Sequence, residues 1–229
     1  MSPGALPEPT GKHPVGSATV HLVDEDRADP WVPEERRELM VSLWYPAVKP
    51  SHTCAPYMTA QESRTYLEAG DVPLPPEVLS TVGTHATVGA KPLKARAGLP
   101  MVVLSPGFGM PRATLTGLGE ELASRGYVVA GVGHNYEADG ISFPDGRTTT
   151  CVACEDRNYP KVGAVRAQDV SFVLDELTGK HPAWKGGALV DADRIAMVGH
   201  SAGGFSTIPV LLSDARVKAG VIGGGACRC

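Results

Sequence analysis

The run Arg194-Ile-Ala-Met-Val-Gly-His-Ser-Ala-Gly-Gly-Phe-Ser-Thr207 constrains this chain more than any other stretch. It contains Gly199-x-Ser201-x-Gly203. Ile195, Met197 and Val198 before it read as a short buried strand, and Ala202 to Leu212 after it can form a helix. A strand that turns sharply into a helix around this pattern is a nucleophile elbow, which lifts the Ser201 Oγ above the end of a sheet. Gly199, His200 and Gly203 complete the elbow, with glycines where a strained turn crowds the backbone. The competing reading is a glycine-rich helix start that only packs tightly. The five-residue pattern is weak in isolation, and its strand-turn-helix setting is what gives it specificity.

Similar alternations occur upstream. Leu99-Pro-Met-Val-Val-Leu-Ser105 is a buried-strand run ended by Pro106-Gly107-Phe108-Gly109, and Thr114 to Arg125 carries Leu115, Leu118 and Leu122 at helical spacing. Tyr127 to Val132 is a further apolar strand, as expected of one covered on both faces. His134 to Pro160 is a long excursion with a tight turn at Phe143-Pro-Asp-Gly146. Ala164 to Thr178 reads as a helix stopped by Gly179, and Val217 to Ile222 as a last strand. Ahead of all this, Ala18 to Val23 and Leu39 to Tyr45 form a strand pair, joined through the breaker-rich Asp24 to Pro33. Residues 51–97 give one short helix, Ala60 to Glu68, and otherwise pack over a face or edge of the sheet. Strands alternating with helices predict a doubly wound, mostly parallel α/β sheet. Residues 1–16 are an extended lead-in, and 17–229 are one domain, since 229 residues are too few for two comfortable α/β domains.

A net charge of −4 and scattered Lys and Arg exclude a nucleic-acid or anionic-membrane footprint. Glu35-Arg36-Arg37-Glu38 reads as a solvated charged turn. The N-terminus has neither a basic segment nor an apolar run, so no signal peptide is expected, and no stretch approaches the roughly 20 apolar residues of a membrane span. As written, the chain reads as cytoplasmic. Cys151-x-x-Cys154 with Cys227-x-Cys229 has the outline of a four-thiolate site, but the second pair ends the chain, and no metal is expected. A disulfide between Cys151 and Cys154, or two free thiols, remain alternatives set by compartment.

A serine hydroxyl needs a base, and the tetrahedral intermediate needs donors for its oxyanion. The elbow supplies the N–H of Ala202. The loop Ser105-Pro-Gly-Phe-Gly109 follows an earlier strand, where the second donor of such sites originates, and the N–H of Phe108 is the candidate. An ordinary glycine-rich turn is the plainer reading of that loop. Gly107-x-Gly109 lacks the third glycine and the acidic partner of a dinucleotide site. No cofactor is implied.

Pro100-Met-Val-Val-Leu-Ser-Pro-Gly-Phe-Gly-Met-Pro-Arg112, Leu122-Ala-Ser-Arg-Gly-Tyr-Val-Val-Ala130 and Gly-His-Ser-Ala-Gly-Gly resemble the platelet-activating-factor acetylhydrolase family, and more closely its actinobacterial lipase members. The likeness runs from about residue 7 to about residue 221. It implies the α/β-hydrolase fold, Ser201 as nucleophile, and an oxyanion hole of the Phe108 and Ala202 N–H groups. It also implies metal-free cleavage of small-molecule or lipid esters, with short, oxidised or phospholipid acyl groups, and leans towards secretion.

The chain departs from that family after Ser201. The fold orders its triad Ser, acid, His, yet no histidine follows Ser201 and the only acid is Asp214, ~18 Å along the helix. Gly224 falls about where the family has its Asp, and the Gly223-to-Cys229 tail reads as a shifted frame or an early stop. No triad acid or base is found. His200 is the neighbour of Ser201 and points away from it. His134, at the end of the Tyr127–Val132 strand, is the remaining and weakly supported upstream base, because triads are defined by geometry. The expectations are therefore a serine ester hydrolase of acetylhydrolase or lipase type or, alternatively, a catalytically incomplete remnant. Either lacks the fold's last strands, leaving an exposed edge that favours aggregation or a partner.

Overall fold

A computed structural model describes residues 4–223. Its elements run β1 (Val15–Ala28), β2 (Arg36–Pro46), α1 (Ala60–Ala69), β3 (Thr87–Val88), β4 (Leu99–Ser105), α2 (Thr116–Ser124) and β5 (Val128–His134). Then come β6 (Ile141–Ser142), β7 (Thr148–Thr149), α3 (Ala153–Asp156), α4 (Tyr159–Thr178), β8 (Val190–His200), α5 (Ala202–Ser213) and β9 (Val217–Gly223). Seven strands form one sheet in the order β3-β1-β2-β5-β4-β8-β9. β5, β4, β8 and β9 are mutually parallel, while β2 runs antiparallel to both β1 and β5. The mostly parallel α/β sheet is the architecture expected from the sequence.

Side-chain alternation divides the core between the two faces. Leu39, Val41, Leu43, Met101, Val103, Ala130, Val132, Ile195 and Met197 face one way, onto Val170, Val173, Leu174 and Leu177 of α4 and Val210 of α5. Trp44, Val102, Leu104 and Val129 face the other way, where Ala123 of α2 meets them. Each fully buried aliphatic side chain contributes roughly 1.5–3 kcal/mol. Helices on both faces explain why the central strands are nearly continuous apolar runs.

Several boundaries differ from expectation. β1 extends to Ala28, because the pairing with β2 resumes at Ala28–Arg36 after a bulge beyond Asp24. α4 starts at Tyr159 rather than Ala164; the Asn158 side chain accepts from the Lys161 N–H, and Pro160 sits in the first turn, where a missing N–H costs nothing. α1 is closed by a capping box between Thr59 and Glu62. The Phe143–Gly146 turn joins β6 to β7, with the Gly146 N–H donating to Phe143 O and Gly146 at φ 90°.

The reading of Glu35–Glu38 as a solvated turn is corrected. Arg36 to Glu38 belong to β2, and Arg37 is fully buried. It continues the inward register of Leu39, Val41, Leu43 and Tyr45, so strand periodicity carries a guanidinium into the interior. Cys151 and Cys154 are joined by a disulfide, which removes both from any thiolate metal site. Cys227, Cys229 and Gly224 lie outside the described residues. Among the described residues no helix is long and apolar enough to cross a membrane.

Candidate active site

Ser201 occupies the turn between β8 and α5 at φ 52°, ψ −114°. That conformation is costly for a residue with a side chain, on the order of 1–3 kcal/mol, and persists only where the surroundings enforce it. Here they do. The Ser201 N–H donates to Gly223 O at 2.8 Å, and its C=O accepts the Phe205 N–H at 2.9 Å. A Cβ on Gly199 would lie 2.1 Å from Gly203 C, and one on Gly203 would lie 2.1 Å from Ser105 O. The turn is thus wedged against the end of β4, and Ser201 itself remains exposed.

Ser201 lines a cavity of about 560 Å³ with Phe108, Ala202, Tyr159, Val162 and Phe205. The walls are largely apolar, and the rings of Phe108 and Tyr159 meet edge to face at 5.5 Å. Phe108 and Ala202, the two expected donor residues, therefore share one pocket with the hydroxyl. Among the described residues neither N–H is engaged by another acceptor. The flanking amides are engaged: Gly109 N–H donates to Glu137 O at 3.0 Å and Met110 N–H to Gly107 O at 3.2 Å. Free N–H groups at a helix start and in a fixed loop are the pattern that receives developing negative charge.

Beneath that loop lies an ionic network that residue patterns did not reveal. Arg166 of α4 donates through Nε to Glu137 at 2.7 Å and through Nη1 to Ser105 Oγ and Pro106 O. Glu137 also accepts from Trp31 Nε1. Arg37 bridges Asp169, Asp29 and the Asn135 carbonyl, and Arg27 joins Asp169 from the rim. Three guanidiniums meet three carboxylates, so these buried charges compensate one another. For Asp169 burial works to raise the pKa, but the Arg37 charge and the hydrogen bonds from His134 and Arg37 prevail, and the group stays ionised far below the usual carboxylate range. The loop holding Phe108 is thus fastened on both sides, at Ser105–Pro106 by Arg166 and at Gly109 by Glu137. The signal for Arg166 and Asp169 was their position on α4, three residues apart on the stripe facing the sheet.

His134 belongs to this network, which excludes it as a base for Ser201. It is 1% exposed; Nδ1 lies 2.8 Å from Asp169 Oδ2 and Nε2 lies 3.0 Å from Ser105 Oγ. Burial and the nearby Arg166 charge lower its pKa against the pull of Asp169, keeping the ring neutral. The geometry fits an Nδ1–H tautomer whose Nε2 accepts from Ser105. Ser105–His134–Asp169 has the bonding order of a catalytic triad, yet Ser105 is fully buried and has no path to a substrate. His200 lines the Ser201 pocket with its ring against the loop, since a Cβ on Gly107 would sit 3.1 Å from His200 Nδ1. Among the described residues lining the pocket there is no carboxylate and no other imidazole. Asp214 caps the far end of α5 and is spent on Arg216 and Ser171.

Comparison with known proteins follows the same lines. The sequence model of platelet-activating factor acetylhydrolase, isoform II, matches residues 4–146. A protein of Arthroderma benhamiae named probable 1-alkyl-2-acetylglycerophosphocholine esterase is 29% identical over 127 residues, covering 54% of this chain and 30% of that protein. The platelet-activating factor acetylhydrolase of Cavia porcellus is 25% identical over 167 residues, covering 57% and 36%. Among solved structures, a ferulic acid esterase from Streptomyces cinnamoneus is 47% identical with a TM-score of 0.82 over 94% of this chain and 60% of that one. The chain thus spans about a third of the length of these curated relatives.

Proposed function

The chain belongs to the platelet-activating factor acetylhydrolase isoform II family and has the α/β-hydrolase fold, and from that premise we propose that it is built for carboxylic-ester hydrolysis with Ser201 as nucleophile. The observation that carries the reading is the strained, exposed Ser201 in one pocket with the uncommitted N–H groups of Phe108 and Ala202. In the reaction Ser201 Oγ gives up its proton as it bonds to the carbonyl carbon, the C=O π pair moves to oxygen, and the two N–H groups hold that oxyanion. The C=O re-forms as the bond to the leaving oxygen breaks, that oxygen takes up the proton Ser201 gave, and water then cleaves the acyl-enzyme to the acid and restores the Ser201 hydroxyl. Phe108, Tyr159 and Phe205 give the acyl group an apolar seat, which suits short-chain or phospholipid acyl esters. The Cys151–Cys154 disulfide supports an oxidising compartment.

A second reading rests on the pocket's lining. Accepting the Ser201 proton requires a base, and His200 is the sole imidazole there. On this alternative the chain carries the binding half of the site without its acid and base. A serine hydrolase stripped of triad members retains only ~10³–10⁴-fold acceleration over water.

Hydrolysis of p-nitrophenyl acetate by the 229-residue chain, beside Ser201→Ala, separates the two. Turnover that disappears in Ser201→Ala supports the hydrolase. Equal rates in both leave Ser201 without a catalytic role in this chain.

A further inference from the structure

A second cavity, of about 430 Å³, lies on the α2 side of the sheet between β1, β2, the Ala55–Thr59 segment and the β6–β7 hairpin. It shares no lining residue with the Ser201 pocket, although Met110 lines one and its neighbour Pro111 the other. Its volume is that of a small-molecule site, in the usual ~300–1,000 Å³ range. Met40, Trp44, Tyr57 and Phe143 form an apolar wall, while Ser17 and Ser42 supply polar floor.

Arg112 lines this cavity, although the residue is only 9% exposed. Its stem passes over β5 where Gly133 leaves room, for a Cβ there would sit 3.1 Å from the Arg112 Cδ. Nε donates to Ser42 Oγ at 3.0 Å. Among the described residues Nη2 of the guanidinium makes no hydrogen bond, and Nη1 meets only the carboxylate of Glu62. Its one anionic neighbour is Glu62, with Oε1 3.5 Å from Nη1. Both Glu62 oxygens already accept backbone N–H groups, Oε2 from Thr59 at 2.9 Å and Oε1 from Ser142 at 3.2 Å. The guanidinium is thus bound by Ser42 through Nε and paired with Glu62 through Nη1, which leaves the Nη2 donors unused.

We propose that this cavity is a binding site for a small monocarboxylate with an apolar body, seated end-on against Nη1 and Nη2 of Arg112. The planar edge of a guanidinium matches a carboxylate with two parallel N–H···O bonds. Arg112 is the only Lys or Arg among the residues lining the cavity, and His21, the other basic residue there, has Nε2 2.7 Å from Glu38. One guanidinium with the Glu62 carboxylate beside it favours a monoanion over a dianionic phosphate. The aromatic wall excludes water from the apolar body and lets a flat or short aliphatic acid pack beside Trp44 and Phe143. Nothing in this proposal depends on Ser201.

Titration with benzoate by isothermal calorimetry tests the assignment. We expect 1:1 binding with Kd on the order of 1 mM or tighter, within the reach of a nine-heavy-atom ligand. Benzyl alcohol and inorganic phosphate should each bind at least tenfold more weakly. Arg112→Gln should lose at least tenfold in benzoate affinity, and Arg112→Lys, which keeps the charge but not the fork, should lose an intermediate amount. Should Arg112→Gln fail to fold, Ser17→Leu decides, since the Ser17 side chain makes no hydrogen bond among the described residues and leucine there fills the floor. Absence of benzoate binding overturns the proposal. So does binding that survives Arg112→Gln or Ser17→Leu, or binding matched by benzyl alcohol or phosphate.

Discussion

At the scale of single residues, contacts against backbone separate the indispensable glycines from the incidental ones. Gly203 sits where a methyl group would fall 2.1 Å from Ser105 O, and neither β4 nor α5 can retreat without disturbing the turn at Ser201. Gly203→Ala should therefore cost on the order of 3 kcal/mol, an overpacking penalty against rigid backbone. Gly117, in the first turn of α2, has nothing within 4 Å of the same position, and alanine there should gain up to about 1 kcal/mol from helix propensity. Urea denaturation of both variants checks the contrast, and a Gly203→Ala protein as stable as its parent would refute it. Gly199, Ser201 and Gly203 were legible from sequence because the elbow uses chain neighbours. Arg37 was not: it sits in a charged tetrapeptide, and only the inward alternation of Leu39, Val41 and Leu43 reveals its direction. Arg112 stayed hidden for a related reason, since its surroundings come from β1, β2, α1 and the β6–β7 hairpin.

Between elements, the network of β2, β5 and α4 makes stability depend on pH in a definite direction. His134 is buried and neutral, with its folded pKa below the ordinary imidazole value. As pH falls through about 6.5 the unfolded chain takes up a proton that the folded ring refuses, so the unfolded state binds more protons and stability drops. The contribution is whole above that pH and is lost towards the lower folded pKa, at no more than about 1.4 kcal/mol per pH unit. Asp169 acts in the same direction but only in stronger acid, because its folded pKa is depressed below the ordinary carboxylate range of about 3.9. Denaturation midpoints of the parent should therefore fall between about pH 6.5 and 4.5, and His134→Gln, which can still bridge Asp169 and Ser105, should lessen that slope. A parent insensitive to pH over this window would show that the buried ring gains no advantage by remaining neutral. The strands and helices of the network were legible as apolar runs, and β4 falls on its expected residues. Its partners were not legible, because Asp29, Arg37, Glu137, Arg166 and Asp169 are joined only by folding.

For the whole molecule, the sheet is covered unevenly. At one end β1 is flanked by β3, but at the other β9 pairs with β8 alone among the described residues. Val221 and Ile222 of β9 are each more than half exposed, and on α5 Phe205, Ile208 and Leu212 also face outward, Leu212 at 84%. These groups adjoin, since the Gly204 methyl position lies 2.9 Å from Ile222 Cγ2 and that of Gly220 lies 2.8 Å from Leu211 Cδ1. An open strand edge beside an apolar helix face is the surface that natural sheets cover or charge, and Lys218 is the only charged residue β9 offers. A polypeptide of these 229 residues should therefore self-associate as its concentration rises. Light scattering after size exclusion should show mass growing across the micromolar range, and Leu212→Lys with Val221→Lys should move the distribution towards monomer. Both substitutions lie on exposed positions, so they leave the buried core intact and act on association alone. A parent that stays monomeric at every concentration would mean that this face is shielded in solution, and the uneven cover of the sheet would then have no consequence for assembly.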